Sequence, residues 1–137
     1  DPETQPIMFK LRSSLTALCN AVLDGKLDDY VMDVDARPSL TVVMAAGGYP
    51  GSYAKGDLIT GLDQVADDVK VFHAGTRMEG AAVLTNGGRV LGVTAIGETV
   101  ADARSRAYDA VSAISWPGAF SRSDIGYRAI AREAEAD

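Results

Sequence analysis

Ala82-Val83-Leu84-Thr85, then Asn86-Gly87-Gly88, then Arg89-Val90-Leu91-Gly92-Val93-Thr94-Ala95 follow one another without interruption. Two runs of aliphatic and β-branched residues flank an Asn-Gly step. Asn-Gly supplies the positive φ angles of a tight β-turn, so the spacing predicts a β-hairpin. Working outward, Leu40-Thr41-Val42-Val43-Met44-Ala45-Ala46 is a short, mostly apolar run that reads as a buried strand. Val69-Lys70-Val71-Phe72-His73 reads as another. Gly47-Gly48-Tyr49-Pro50-Gly51 breaks the chain sharply after the first of these.

Helical periodicity flanks the strands. Thr99-x-x-Asp102 is a capping-box-like start with Asp in place of Glu or Gln. Val100, Ala103, Ala107, Val111 and Ile114 then form one apolar stripe, which Trp116-Pro117-Gly118 ends. Upstream, residues 7–24 read as helical, with Leu15, Leu18, Cys19, Val22 and Leu23 on one face. Ser13 or Ser14 is the candidate cap and Gly25 the terminating glycine. The pattern does not decide whether 7–12 joins the same helix. Residues 1–6, with Pro2 and Pro6, read as an extended arm. Residues 26–38, with Asp28, Asp29, Asp33 and Asp35, read as a solvated acidic connector without calcium-loop spacing. The charged stretch 129–137 reads as a frayed helical turn. The expected class is α+β, with a mostly antiparallel sheet and one long helix.

The 137 residues fit one domain, or one domain with an attached arm. Nineteen acidic against thirteen basic side chains give a formal charge of −6. That balance argues against a general nucleic-acid binder, which needs a basic footprint. A small anionic substrate is compatible, because a pocket on an acidic protein can be locally positive. Cys19 is the single cysteine, which excludes an intramolecular disulfide and a cysteine-based zinc site. No run of 18 apolar residues predicts a membrane span, and a cytoplasmic setting is expected. The sequence opens on Asp1 rather than Met. This sets up the expectation of a processed chain or a piece of a longer one.

Few residues suggest chemistry by themselves. Gly51 and Gly56 have P-loop separation, but Asp57 stands where the lysine belongs. Two readings of the Gly47–Gly51 run stay open: a loop that approaches a ligand through backbone N–H groups, or a turn that needs positive φ. His73, the one histidine, reads as structural or partly buried. Arg89 reads either as a surface residue after the turn or as a planar clamp for phosphate or carboxylate. No reaction follows from these residues.

Several blocks in order carry a resemblance. Asp1-Pro2-Glu3-Thr4-Gln5-Pro6 resembles the second half of the R-F-G-D-P-E-x-Q motif of the phosphoribosylamine–glycine ligase (glycinamide ribonucleotide synthetase) family. Similar blocks follow at 43–51, 70–76, 85–91, 93–97 and Ser123-Asp124-Ile125-Gly126-Tyr127-Arg128-Ala129-Ile130, so the resemblance covers nearly the whole chain. It implies an ATP-grasp enzyme of purine synthesis that uses ATP with Mg²⁺ or Mn²⁺. Glycine is activated as glycyl phosphate, and the amine of 5-phosphoribosylamine then attacks it. The products are glycinamide ribonucleotide, ADP and phosphate.

The same resemblance implies that residues 1–36 end the ATP-grasp domain as arm plus helix. Residues 37–137 would be a C-terminal, barrel-like β domain. It places Asp1, Glu3, Gly47, Gly48, Tyr49, Pro50 and Gly51 around the glycine and phosphoribosylamine pocket, with Arg89 as a further candidate. It assigns no catalytic residue to this stretch, and it puts the Glu-x-Asn metal ligands upstream of Asp1. The missing N-terminal part of the ligase is then the partner, the isolated segment is inactive, and an apolar patch on the 7–24 helix is expected where that part has been removed. The alternative is a stand-alone, non-catalytic binding or interaction module built on the same domain.

Overall fold

The computed structural model describes residues 2–135. In chain order it contains α1 (Thr4–Lys10), α2 (Leu15–Leu23), β1 (Ser39–Ala45), β2 (Val69–His73), β3 (Thr76–Glu79), β4 (Ala82–Thr85), β5 (Arg89–Ile96), α3 (Val100–Ala113) and α4 (Tyr127–Ala134). Short 3-10 turns occupy Leu27–Asp29 and Leu62–Gln64.

The strands fall where the apolar runs place them, but their pairing does not. β4 and β5 are not hydrogen-bonded to each other. β5 is the centre of a three-stranded antiparallel sheet of order β1-β5-β2, and β3 and β4 form a separate pair. The expected hairpin is therefore replaced by one a step earlier, Thr76–Glu79 with Ala82–Thr85. Its turn is Gly80-Ala81, and Gly80 sits at φ +60°, as the first central position of a type II′ turn requires. Thr76-Arg77-Met78-Glu79 has no apolar alternation to reveal it as a strand, and three of its four residues are exposed.

Asn86-Gly87-Gly88 crosses from one sheet to the other, and neither glycine has a positive φ. Their lack of a side chain serves close approach instead. A Cβ on Gly75 would lie 2.8 Å from the Gly87 Cα and 2.5 Å from the Arg89 carbonyl oxygen. A Cβ on Gly88 would lie 2.2 Å from Cδ2 of the Tyr49 ring.

The barrel expectation also fails. β1 and β2 each pair with β5 and not with one another, so the sheet is open. Three strands with two free outer edges cannot close.

Both faces of the sheet are covered. Leu40, Val42 and Ala95 pack against Ala103 and Ala107 of α3. Met44, Val90, Leu91 and Val93 pack with Ile59, Ala110, Ile114 and Trp116. The predicted α3 stripe is the one that faces the sheet, with Ala110 as an added member. Alanines let the helix come close. Gly97 is needed for the same reason, since a Cβ there would lie 2.2 Å from the Ala103 nitrogen. The helix start is capped as expected. Thr99 Oγ1 accepts from Asp102 N at 3.0 Å, and Asp102 Oδ2 accepts from Glu98 N at 3.0 Å. On the opposite face α1 lies across β1 and β5. There Ser39 Oγ donates to the Pro6 carbonyl at 3.0 Å, and the Thr41 and Thr94 hydroxyls pair at 2.7 Å.

The N-terminal part departs from expectation in three ways. The arm is helical from Thr4, because Pro6 falls in the first turn, where its missing N–H is not needed. The 7–24 helix is broken. Leu11 leaves the helix with ψ 116° and bridges to Val34. Ser14 then caps α2, accepting from Ala17 N at 3.3 Å, and Gly25 follows its end at φ +69°. Finally, the acidic connector is not solvated throughout. Asp35 is buried, and its carboxylate accepts from Arg12 Nη2 at 2.6 Å, Arg37 Nη2 at 2.8 Å and Arg37 Nε at 3.1 Å. At the other end, 127–134 is a regular helix; Ala136 and Asp137 lie outside the described residues.

Two expectations follow for stability. Leu91 is fully buried at the sheet centre, so Leu91→Ala should lower unfolding free energy by about 2–5 kcal/mol in urea titrations. Leu23→Ala, at an 83% exposed position, should stay within about 0.5 kcal/mol. The second concerns acid. Hydrogen bonds from Arg37 first, then Arg12, hold the Asp35 carboxyl well below the usual carboxylate range. A depressed pKa in the folded state adds stability above the unfolded value of about 4, which is lost as pH falls below it. Asp35→Asn should therefore flatten the fall of the urea midpoint below about pH 4. Equal acid slopes for both proteins would refute the assignment.

Candidate functional site

β1 ends where β5 begins. Ala45 pairs with Arg89 across a register shift after Met44. Ala46 N donates to the Gly88 carbonyl at 2.8 Å, and Ala45 and Phe120 exchange backbone bonds at 2.8 and 3.0 Å. The loop that leaves β1 is thus fastened to the start of β5 and to the 116–120 turn. Gly47 lies against that turn, where a Cβ would be 3.0 Å from the Gly118 oxygen. Gly48 has φ +93°, and a Cβ on it would overlap the Ser52 carbonyl oxygen at 2.2 Å. The reading as a turn that needs positive φ is met at Gly48, and Gly47 is crowded by the chain's own 116–120 turn.

The Tyr49-Pro50 peptide is cis. The Tyr49 ring lies against Gly88, with the Tyr53 ring 6.3 Å away centroid to centroid and tilted by 58°. The fold therefore gathers Gly47, Gly48, Tyr49 and Pro50 with the backbone of Gly88 and Arg89 into one corner. Gly51 belongs to the same loop, where a Cβ would meet the Gly48 oxygen at 3.2 Å. Arg89 is exposed at the first position of β5.

The Glu3 carboxyl is held below the ordinary range, first by its own backbone N–H, with the Arg89 charge the smallest of the causes. It is exposed at the N-cap of α1. It also borders a hollow of about 320 Å³ with Pro6, Ser39, Thr41 and Gly126. Asp1 lies outside the described residues. His73 is exposed rather than partly buried, with Nδ1 3.0 Å from Thr76 Oγ1.

The corner brings the glycine loop and the Tyr49 ring against the backbone of Gly88 and the start of β5. Among the described residues, no three His, Cys, Asp or Glu side chains converge to hold a metal. No described helix is long and apolar enough to cross a membrane. Sequence reasoning missed Tyr53, Gly88 and Gly118. The one available signal was the second Gly-Gly pair at 87–88, read there as a turn.

The Tyr49–Gly88 contact generates a double-mutant test. Gly88→Ala should cost about 1–3 kcal/mol of stability by overpacking. In a Tyr49→Ala background the same substitution should cost less than half as much. Additive losses would mean that the ring is not what the glycine accommodates.

The comparisons with known proteins agree with one another. The family model described as "Phosphoribosylglycinamide synthetase, C domain" matches residues 39–128. A phosphoribosylamine–glycine ligase of Allochromatium vinosum is 61% identical over 134 residues, covering 97% of this chain and 31% of the relative. One from Pseudomonas putida is 60% identical over 134 residues, with the same coverages of 97% and 31%. The crystal structure of the phosphoribosylamine–glycine ligase of Thermotoga maritima superimposes with a TM-score of 0.60 at 34% identity, covering 78% of this chain and 27% of that one. The chain thus spans about a third of the length of the curated relatives it matches.

Proposed function

This chain belongs to the phosphoribosylglycinamide synthetase family, and from that premise we propose that it works as the C-terminal part of a phosphoribosylamine–glycine ligase. The observation that carries the reading is identity of 61% over 134 residues to a protein of that name. The reaction is the ATP-dependent joining of glycine to 5-phosphoribosylamine, giving glycinamide ribonucleotide, ADP and phosphate. The isolated chain is inactive in this reading, and its partner is the remainder of the ligase. A cytoplasmic setting goes with it, one that suits the exposed thiol of Cys19.

The chemical problem is the carboxylate of glycine, a poor acyl donor. Transfer of the terminal phosphoryl group of ATP makes glycyl phosphate. The amine nitrogen then forms its bond to the carbonyl carbon, the carbon–oxygen bond to phosphate breaks, and the amine loses a proton. This chain contributes a wall that holds charge. The guanidinium of Arg89 receives a phosphate or carboxylate oxygen through its fork. The Gly47–Pro50 loop offers backbone to the same anion, and the Tyr49 ring screens it from water. Glu3, at the start of α1, supplies a carboxylate that binds the substrate amine or orients the upstream metal ligands. Mg²⁺ or Mn²⁺ would be held by ligands upstream of Asp1, in the remainder of the ligase, and would neutralise phosphate charge there.

Residues 1–36 are assigned to the end of the ATP-grasp domain and 37–137 to the C-terminal domain. The family match beginning at residue 39 and β1 beginning at Ser39 support that division.

The experiment grafts this chain onto the Allochromatium vinosum ligase in place of its matching third. Phosphate release that needs ATP, glycine and phosphoribosylamine together is expected from the graft, and none from the isolated chain. Arg89→Ala should raise KM for phosphoribosylamine roughly 10- to 100-fold, the worth of one charged hydrogen bond. A folded graft without activity would overturn the ligase reading. An unchanged KM would remove Arg89 from the site.

A further inference from the structure

The chemistry above leaves the block Ser123-Asp124-Ile125-Gly126-Tyr127-Arg128-Ala129-Ile130 without a role. A separate hollow of about 420 Å³ lies here, at the start of α4. The charged side chains that line it are Arg122, Arg128, Arg132 and Asp124, and Tyr127 is its aromatic member. Three guanidinium groups against one carboxylate leave a surplus of two positive charges. The chain as a whole carries −6. A local excess of opposite sign on an acidic protein is the field that draws an anion.

The arginines are oriented before any ligand arrives. Arg122 Nε and Nη2 donate to the two Asp124 carboxylate oxygens at 2.9 and 2.6 Å. Arg128 Nε donates to the Tyr127 hydroxyl at 2.9 Å, and Arg132 Nε donates to the Arg128 carbonyl at 3.3 Å. A guanidinium tethered at Nε keeps its two Nη groups for an incoming pair of oxygens. The loop beneath is fastened to α3. Arg104 donates from Nε to the Ile125 carbonyl at 3.0 Å and from Nη2 to the Ser123 carbonyl at 2.7 Å. The Tyr108 hydroxyl donates to the Arg122 carbonyl and accepts from Ile125 N at 3.3 Å.

These charges are placed at a cost to the fold. Arg128 and Arg132 stand at i and i+4 of one helix, where like charges repel. Arg128 also lies in the first turn of α4, where the helix dipole disfavours a cation and no acidic residue stands. Glu133 is turned elsewhere, with both carboxylate oxygens accepting from Val100 N at 3.1 and 3.0 Å.

We infer that this hollow binds a ligand with adjacent phosphate groups, such as inorganic pyrophosphate or the diphosphate end of a nucleotide. The outer edges of two guanidiniums one helical turn apart reach several oxygens at once, and a diphosphate carries oxygens and charge enough for both. All the charged residues involved belong to this chain, so the site does not depend on the ligase reading.

Calorimetric titration of the chain with inorganic pyrophosphate, without divalent metal, is the test. Saturable binding with a Kd on the order of 0.1–1 mM is expected at low salt, weakening as KCl is raised. Arg128→Gln and Arg132→Gln should each weaken it about 10-fold or more, the loss of a charged hydrogen bond. Arg106→Gln, at an arginine already paired with Asp68 and Asp102, should leave it unchanged. Asp124→Asn frees the Arg122 guanidinium and removes the one carboxylate, so affinity should rise roughly two- to fivefold, a gain that no folding defect imitates. ADP should compete with pyrophosphate, and citrate, a carboxylate of similar charge, should bind about 10-fold more weakly. No saturation by about 10 mM pyrophosphate would overturn the inference. So would citrate binding as tightly as pyrophosphate, ADP that pyrophosphate does not displace, an equal loss from Arg106→Gln, or no gain from Asp124→Asn.

Discussion

β5 is hydrogen-bonded along both edges and packed on both faces, and every other element takes its place from it. Six consecutive residues, Val90 to Ala95, are buried. A strand in that position has no solvent to satisfy its polar groups. β1 and β2 supply the backbone partners, and the Thr41 hydroxyl supplies one for Thr94. Glycines stand at both approaches. Gly88 admits the Tyr49 ring before the strand, and Gly97 admits the backbone of α3 after it. The candidate site is a product of the same constraint. Arg89 sits at the exposed first position of β5, and the glycine loop is drawn there because β1 pairs with β5 to its end.

Where the strands lie was legible in the sequence; which ones pair was not. β-branched runs mark β1, β2, β4 and β5 because extended backbone suits those side chains regardless of partner. Partnership is decided by burial across the whole sheet, and local turn signals are weak against it. Asn86-Gly87 is a strong local signal for a hairpin, yet the burial of β5 between β1 and β2 outweighs it. A glycine required by φ and a glycine required by crowding look identical in a sequence. Gly80 is the first kind and Gly87 the second. α3 was readable because cap and stripe both point the same way. The break at Leu11 and the burial of Asp35 were not, since they depend on Val34 and Arg12, each more than twenty residues from its partner.

The site shows the same division. Gly47 to Pro50 and Arg89 each drew attention as separate stretches, one for its glycines and one for its guanidinium. Nothing in their spacing of some forty residues says that they meet. What brings them together is the register of β1 on β5, closed by Ala46 N on the Gly88 carbonyl. Tyr53 and Gly118 join by packing alone, which leaves no motif. Family resemblance supplied the remaining link, because several ordered blocks carry information that no single loop does.

The strand order has a consequence for how this chain is made. β1 and β2 never touch, and each is joined to the sheet only through β5. A nascent chain that ends before Arg89 therefore has the β3–β4 pair but not the three-stranded sheet. At 5–20 residues per second, synthesis leaves β1 without its partner for roughly two to nine seconds. Through that interval the apolar run Leu40–Ala46 stays unpaired at both edges, next to growing chains that carry the same run. Burying β5 at the centre gives the finished protein its order, and it also sets the moment of greatest exposure to misassembly on the ribosome.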